Sequence, residues 1–170
     1  MRRLVLPALT VMSLAFIVSI VSAADFLVPE GTEITVAFDQ DVSSKYVEPG
    51  DEIPIHLVEP IEIGGQAIVK AGAKGLARVK SVTSAGKPGK PGRVELELLQ
   101  LTPNGAFKSI DDQPIPIEGV DGTIVAEGKG RKTLSWLLIF GLFIKGTEGV
   151  IEADQPVEAK VTEGVMVEVN

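Results

Sequence analysis

The chain has 170 residues, no cysteine, a single histidine and a formal charge of -7. That length suits one compact domain and excludes a full (β/α)8 barrel. The missing cysteines exclude disulfides, thiolate nucleophiles and cysteine-bound zinc, and one histidine excludes a multi-histidine metal site. The acidic balance predicts no nucleic-acid partner.

Residues 1–23 read as a signal peptide. Arg2 and Arg3 form its basic start, residues 4–21 are largely apolar, and Val21-Ser22-Ala23 ends it on residues that signal peptidase accepts. The alternative, an uncleaved anchor, is long enough to span a bilayer. The abrupt polar switch at Asp25 favours cleavage between Ala23 and Ala24. Loss of the two arginines takes the formal charge from -7 to -9. The expected location is the periplasm or the extracellular side of a bacterial envelope, with residues 24–170 as a single exported β-rich domain.

The dominant period in that domain is two, which is the mark of strands with one buried face. Ile34, Val36 and Phe38 alternate with Glu33, Thr35 and Ala37, after the turn Pro29-Glu30-Gly31. Ile53, Ile55 and Leu57 follow the turn Glu48-Pro49-Gly50-Asp51, with Pro54 placing that strand at an edge or a bulge. His56 falls on its wetter face. Gly64-Gly65 separates Ile61-Glu62-Ile63 from Ala67-Ile68-Val69. A strand over 74–82 leads to Ser84-Ala85-Gly86-Lys87-Pro88-Gly89-Lys90-Pro91-Gly92, a basic hairpin tip in an acidic chain. This tip reads as a flexible loop or, through Lys87 and Lys90, as a contact for an acidic partner. Val94, Leu96 and Leu98 point inward from the next strand, with Glu95 and Glu97 opposite. Pro103-Asn104-Gly105 predicts a hairpin turn between 95–101 and 107–110. Val157, Ala159 and Val161, then Val165, Val167 and Val169, close the pattern. Nine to eleven short strands are expected. No helical spacing separates them, so antiparallel pairing follows. The fold class is all-β: a compact antiparallel β-barrel or barrel-like sandwich with a short apolar insert.

One phrase recurs, at 28–34, 69–75 and 151–157: an apolar residue, a short turn, then a new extended segment. It is either an internal repeat or the common look of turns that lead into barrel strands.

The apolar insert is 134–144, Leu-Ser-Trp-Leu-Leu-Ile-Phe-Gly-Leu-Phe-Ile, which holds the only tryptophan. Lys129, Arg131 and Lys132 precede it and Lys145 follows. As a helix it would rise about 17 Å, too short for a bilayer core. It reads as a core element closing one barrel end, as a membrane-surface element with basic flanks, or as an oligomer contact. The candidate membrane or partner contacts are Trp136, Leu138, Phe140 and Phe143; the candidate basic contacts are Lys87, Lys90, Arg131 and Lys132.

No catalytic set assembles from the sequence. His56 has no nucleophile motif beside it, and Tyr46, next to Lys45, reads as packing or turn architecture. Asp39, Asp41, Ser43 and Ser44 could offer oxygen ligands, as could Asp111, Asp112 and Asp121, but none follows a calcium-loop spacing. Glu95 and Glu97 resemble a carboxylate pair and are equally ordinary on a wet β face. The chain is read as non-enzymatic, with no cofactor and no metal.

The succession of 28–32, 41–44, 49–51, 69–74, 92–94 and 146–159 resembles exported bacterial β domains, distantly the C-terminal β-barrel domain of the VirB10/TrbI family of conjugation proteins. That resemblance implies a β-rich domain joined to an envelope-spanning channel, with an apolar hairpin reaching the outer membrane. The segment 134–144 is shorter than such a hairpin, and the family's cytoplasmic part, anchor and proline-rich spacer have no counterpart here. The expected function is a scaffold or assembly module of the bacterial envelope. Its partner would be an envelope protein or a second copy, with contact to a membrane surface as an option. The alternative is an exported carbohydrate- or surface-ligand-binding β module.

Overall fold

A computed structural model describes residues 25–87, 89–129 and 146–169. The signal peptide at 1–23, the insert at 134–144 and its flanks Arg131 and Lys132 therefore lie outside the described residues, as do Trp136, Leu138, Phe140 and Phe143. Among the described residues there are fourteen strands: β1 (Phe26–Val28), β2 (Glu33–Phe38), β3 (Val42–Ser43), β4 (Glu52–Leu57), β5 (Ile61–Ile63), β6 (Gln66–Val69), β7 (Lys74–Thr83), β8 (Arg93–Leu101), β9 (Phe107–Ser109), β10 (Ile115–Gly119), β11 (Ile124–Glu127), β12 (Val150–Ile151), β13 (Pro156–Val161) and β14 (Val165–Val169). The described helical structure is one short 3-10 turn, Ile110–Asp112.

Six strands close an antiparallel barrel in chain order: β2, β4, β7, β8, β10, β13 and back to β2. Closure removes the exposed edges that an open sheet would leave. The extra strand β11 shares one edge of β8 with β10. It takes residues 93–96, while β10 takes Gln100 and Leu101. A second sheet, β1-β14-β9, joins the beginning of the described chain to its end, with Phe26 opposite Val167. Two short pairs, β5–β6 and β3–β12, complete the architecture.

The alternating residues fill the interior as their period requires. Val36, Phe38, Ile55, Leu57, Val94 and Leu96 are fully buried, and Ile34, Ile53 and Leu98 nearly so. A six-stranded barrel is narrow, since diameter grows with strand number. That geometry suits a chain with 5% aromatics, whose interior is filled mainly by valine, isoleucine, leucine and alanine around the buried ring of Phe38. At Gly75 there is no room even for a methyl group, because Gln100 O and Ile55 Cγ1 close on the position.

Three sequence expectations are corrected. The described strands number fourteen, more than the nine to eleven that the alternation predicts, because two- and three-residue strands such as β3, β12 and β1 are too short to show a period. Pro54 lies neither on an edge strand nor at a bulge of its own, because β4 is central, between β2 and β7. Proline is accommodated where the β2 ladder ends. The regular pairing stops at Ile55, and beyond it Asp39 N–H donates to Pro54 O at 3.0 Å. The missing N–H falls where the partner strand is turning away. Nor does Pro103-Asn104-Gly105 make a hairpin. β9 pairs with β14 rather than β8, because the end of β8 is taken by β10. The turn character survives at Gly105, with φ of 83°, and Asn104 Oδ1 accepts the N–H of Lys70.

The recurring phrase has a physical basis. Each copy ends one strand and leads into a barrel strand through the same turn. Gly31, Gly72 and Asp154 occupy the third place after the apolar residue, all with positive φ. In each, the next N–H bonds the carbonyl three residues back: Thr32 to Pro29, Ala73 to Lys70, Gln155 to Glu152. In each, the positive-φ residue donates to a neighbouring barrel strand, at Val161, Leu57 and Phe38 respectively. The turn before β4 is a fourth copy, with Gly50 at φ 96°, Asp51 N–H on Glu48 O and Gly50 N–H on Val79 O. Four of the six barrel strands thus begin in one way.

Candidate functional site

The chemically distinctive region is one end of the barrel, where β7 and β8 continue into the basic tip. Gly86 and Lys90 exchange backbone hydrogen bonds of 2.9 and 3.0 Å there. Gly92 N–H donates to Thr147 O and Gly128 N–H donates to Gly92 O, at 2.9 and 2.8 Å. Gly146 N–H reaches Gly86 O, and Lys129 N–H donates to Thr147 Oγ1 at 2.6 Å. The positions where the chain leaves and re-enters the described structure around 130–145 are therefore side by side, against the basic tip. Such close backbone approach demands glycine. A Cβ on Gly92, Gly128 or Gly146 would collide with Ser44, Thr147 and Lys90 respectively.

Glu148 fastens this junction. Its Oε2 accepts a hydrogen bond from Ser44 Oγ at 2.7 Å and another from Ala85 N–H at 3.0 Å. Ser44, only 1% exposed, also accepts the N–H of Gly149 on its hydroxyl. Ser84 Oγ donates to Ser44 O. One carboxylate thus ties together the residues after β3, the hairpin tip and the segment leading to β12. Charge-assisted bonds of this kind are about twice as strong as neutral ones. Sequence reading missed Glu148, because a single acid between glycines carries no pattern and its donors come from far along the chain.

The residues after Ser44 turn outward. Ser43 O accepts the N–H groups of Tyr46 and Val47, and Ser43 Oγ accepts that of Lys45. Val47 packs against the core, while Tyr46 is 76% exposed. Tyr46 is therefore turn architecture by its backbone, but its ring does not pack into the protein. Lys45 Nζ lies 2.9 Å from the Tyr46 hydroxyl and 4.7 Å from the ring centroid. The hydrogen bond to Tyr46 raises the pKa of Lys45.

The remaining sequence candidates are dispersed. His56 Nδ1 is 2.6 Å from Asp39 Oδ1, and Lys74 Nζ is 2.9 Å from Asp39 Oδ2. Asp154 approaches His56 Nε2 to 4.0 Å. The Lys74 bond, with help from His56, holds the Asp39 carboxyl below its usual range against a smaller cost of burial. Asp41 instead accepts the N–H of Ala153. Glu95 accepts from Ser81 and Arg93, which lower its pKa in that order, and Glu97 lies 3.9 Å from Arg78. Among the described residues, no three histidines or carboxylates stand where they could hold a metal ion.

Two hollows stand out on the surface of the described residues. One, of 320 Å³, is lined by Glu33, Glu59, Glu158 and their neighbours. The other, of 500 Å³, lies between Pro114, Pro116, Val165 and Met166. Neither is lined by Tyr46, His56, Lys87 or Lys90. The last two lie together on the tip, both exposed. Compared with known proteins, the chain matches no family model and no curated protein.

Proposed function

We propose that this chain is a non-enzymatic scaffold or assembly module of the bacterial envelope, exported by residues 1–23 and acting through the end of the barrel that carries the basic tip. The observation that supports this most is the junction at Glu148. It holds the 84–92 tip beside the two points that flank the apolar segment 134–144. The basic tip and the two chain positions Lys129 and Gly146 are thereby held together at one end of a closed barrel, and sites on rigid elements are positioned better than sites on free loops. The resemblance to channel-forming β domains of conjugation systems points the same way. A carbohydrate-binding module remains the second reading, favoured by the exposure of Tyr46. It asks for a groove beside the ring, and the two hollows are lined by other residues.

A photo-crosslinking side chain at Lys90, in cells making the full chain, tests the proposal. The expected result is an adduct with an envelope protein or a second copy. Glu148→Ala is expected to diminish that adduct while the barrel's circular dichroism is retained. A chain confined to the cytoplasm, or adducts no more abundant than from a photo-crosslinker at Lys160, would rule the assembly reading out.

A further inference from the structure

The turn residues Pro103-Asn104-Gly105 join no hairpin, and the asparagine among them has another task. The chain contains two asparagines, Asn104 and Asn170, and only the first precedes a glycine. Asn104 is half-buried, while Gly105 and Ala106 are exposed. Asn104 Oδ1 accepts the N–H of Lys70 at 2.9 Å, which ties the connection between β8 and β9 to the residue after β6.

Asparagine before glycine carries a reactive pair of groups. The glycine nitrogen is tethered within reach of the asparagine Cγ, and an attack within one chain has a high effective concentration. Glycine has no Cβ to obstruct it. Here the surroundings favour that attack. Negative charge develops on Oδ1 as the nitrogen adds to Cγ, and the Lys70 N–H is already in place to stabilise it. The Lys70 ammonium lies over the same turn, 3.3 Å from where a Cβ on Gly105 would stand. A cation there stabilises the deprotonated Gly105 amide, which is the attacking form. Among the described residues, no backbone carbonyl accepts the N–H of Gly105. The related pair Asp121-Gly122 is the contrast. Its glycine also has positive φ, 82°, but its N–H is held on Gly119 O at 2.8 Å.

We propose that Asn104 is a site of spontaneous deamidation in the folded protein. Gly105 N bonds to Asn104 Cγ and gives up its proton. The Cγ–Nδ2 bond breaks, and Nδ2 leaves with that proton as ammonia. One water then opens the succinimide ring. Attack at Cγ leaves an ordinary aspartate; attack at the backbone carbonyl leaves isoaspartate, with the main chain running through Cγ. The reaction needs water and no partner or cofactor. Its two products differ in structure. Aspartate keeps an oxygen where the Lys70 N–H needs one, and its charge strengthens the bond. Isoaspartate takes that carbonyl into the main chain and lengthens the connection by one carbon, which frees the Lys70 N–H and loosens the approach to β9.

The test incubates the chain from Ala24 onward, which contains every described strand, beside a synthetic peptide of residues 100–108 in neutral buffer. The fragment holding residue 104 is followed by mass and by enzymatic detection of isoaspartate. Conversion in the folded chain is expected to be at least as fast as in the peptide, with Asp121 unchanged. Asn104→Gln should stop it, because the longer side chain closes a larger ring. Lys70→Gln keeps the N–H and removes the ammonium, and should slow conversion several-fold. The Lys70 amide should exchange faster with solvent in the isoaspartate form and stay protected in Asn104→Asp. A folded chain that keeps its amide while the peptide converts, or that converts only when unfolded in urea, would overturn the proposal. An unchanged rate in Lys70→Gln would overturn the part given to its ammonium.

Discussion

Asp39 sits where three elements meet. It follows β2, faces His56 on β4 and accepts the ammonium of Lys74 at the start of β7. Its carboxyl is held below the ordinary aspartate value of 3.8, chiefly by Lys74. A depressed folded-state value means that the stabilisation is present above the unfolded value and is lost as the pH falls through the folded one. Asp39→Asn is therefore expected to be less stable than the parent chain at neutral pH, with the difference narrowing below about pH 4. Urea midpoints of both proteins across that range check this, and a difference that stays constant down to pH 2 contradicts it. The cluster was only partly legible in the sequence. Alternation put His56 on the wet face correctly, but strand pairing sets its partner. Asp39 and Lys74 become neighbours only because β4 lies between β2 and β7.

Among the elements, the four lead-in turns carry the clearest rule. Three have glycine at the positive-φ place and the fourth has Asp154, with φ of 58°. Non-glycine residues are strained there by roughly 1 kcal/mol. The Asp154 side chain is 84% exposed and its 4.0 Å approach to His56 is a weak surface contact. Asp154→Gly is accordingly expected to stabilise the protein by up to about 1 kcal/mol, read as a higher urea midpoint with unchanged slope. A lower midpoint would show that the contact with His56 outweighs the backbone strain. The sequence displayed three of these turns because an apolar residue, a break and a new strand can be seen along one chain. The fourth, Val47-Glu48-Pro49-Gly50-Asp51-Glu52-Ile53, shares with residues 28–34 the apolar start, the glycine at the third place and the Glu-Ile that opens the strand, and its bonds show it to be the same turn. Pro103-Asn104-Gly105 shows the converse. Its residues are right for a turn, yet a turn does not dictate which strands pair across it.

For the molecule as a whole, the decisive event is closure of the barrel, and the seam between β8 and β10 is short. Two residue pairs make it, Ile115 with Leu101 and Pro116 with Gln100. Leu101 and Ile115 are both fully buried. The alternation of Val94, Leu96 and Leu98 would leave Leu101 on the wrong face. An irregularity in the β7–β8 register, between Leu76 and Ala77, resets it inward. That bulge was invisible to a reading based on period two, although the inward residues before it were not. Leu101→Ala should cost about 2–5 kcal/mol, as a cavity at a buried position. Because it lies on the seam, amides of β10 should lose hydrogen-exchange protection more than those of β4. Uniform loss across both strands would mean that the seam is no weaker than the rest.

The pairing of β2 with β13, and of β1 with β14, also sets an order in time. A chain made from its N-terminus presents Ile34, Val36 and Phe38 long before the strand that covers them exists. Until β13 arrives, β2 offers a bare ladder edge and β1 has no partner, the circumstances in which nascent β proteins aggregate. Such a chain gains from being held open until its last strands are delivered. The fold that leaves so little edge in the finished protein leaves a long one during its making.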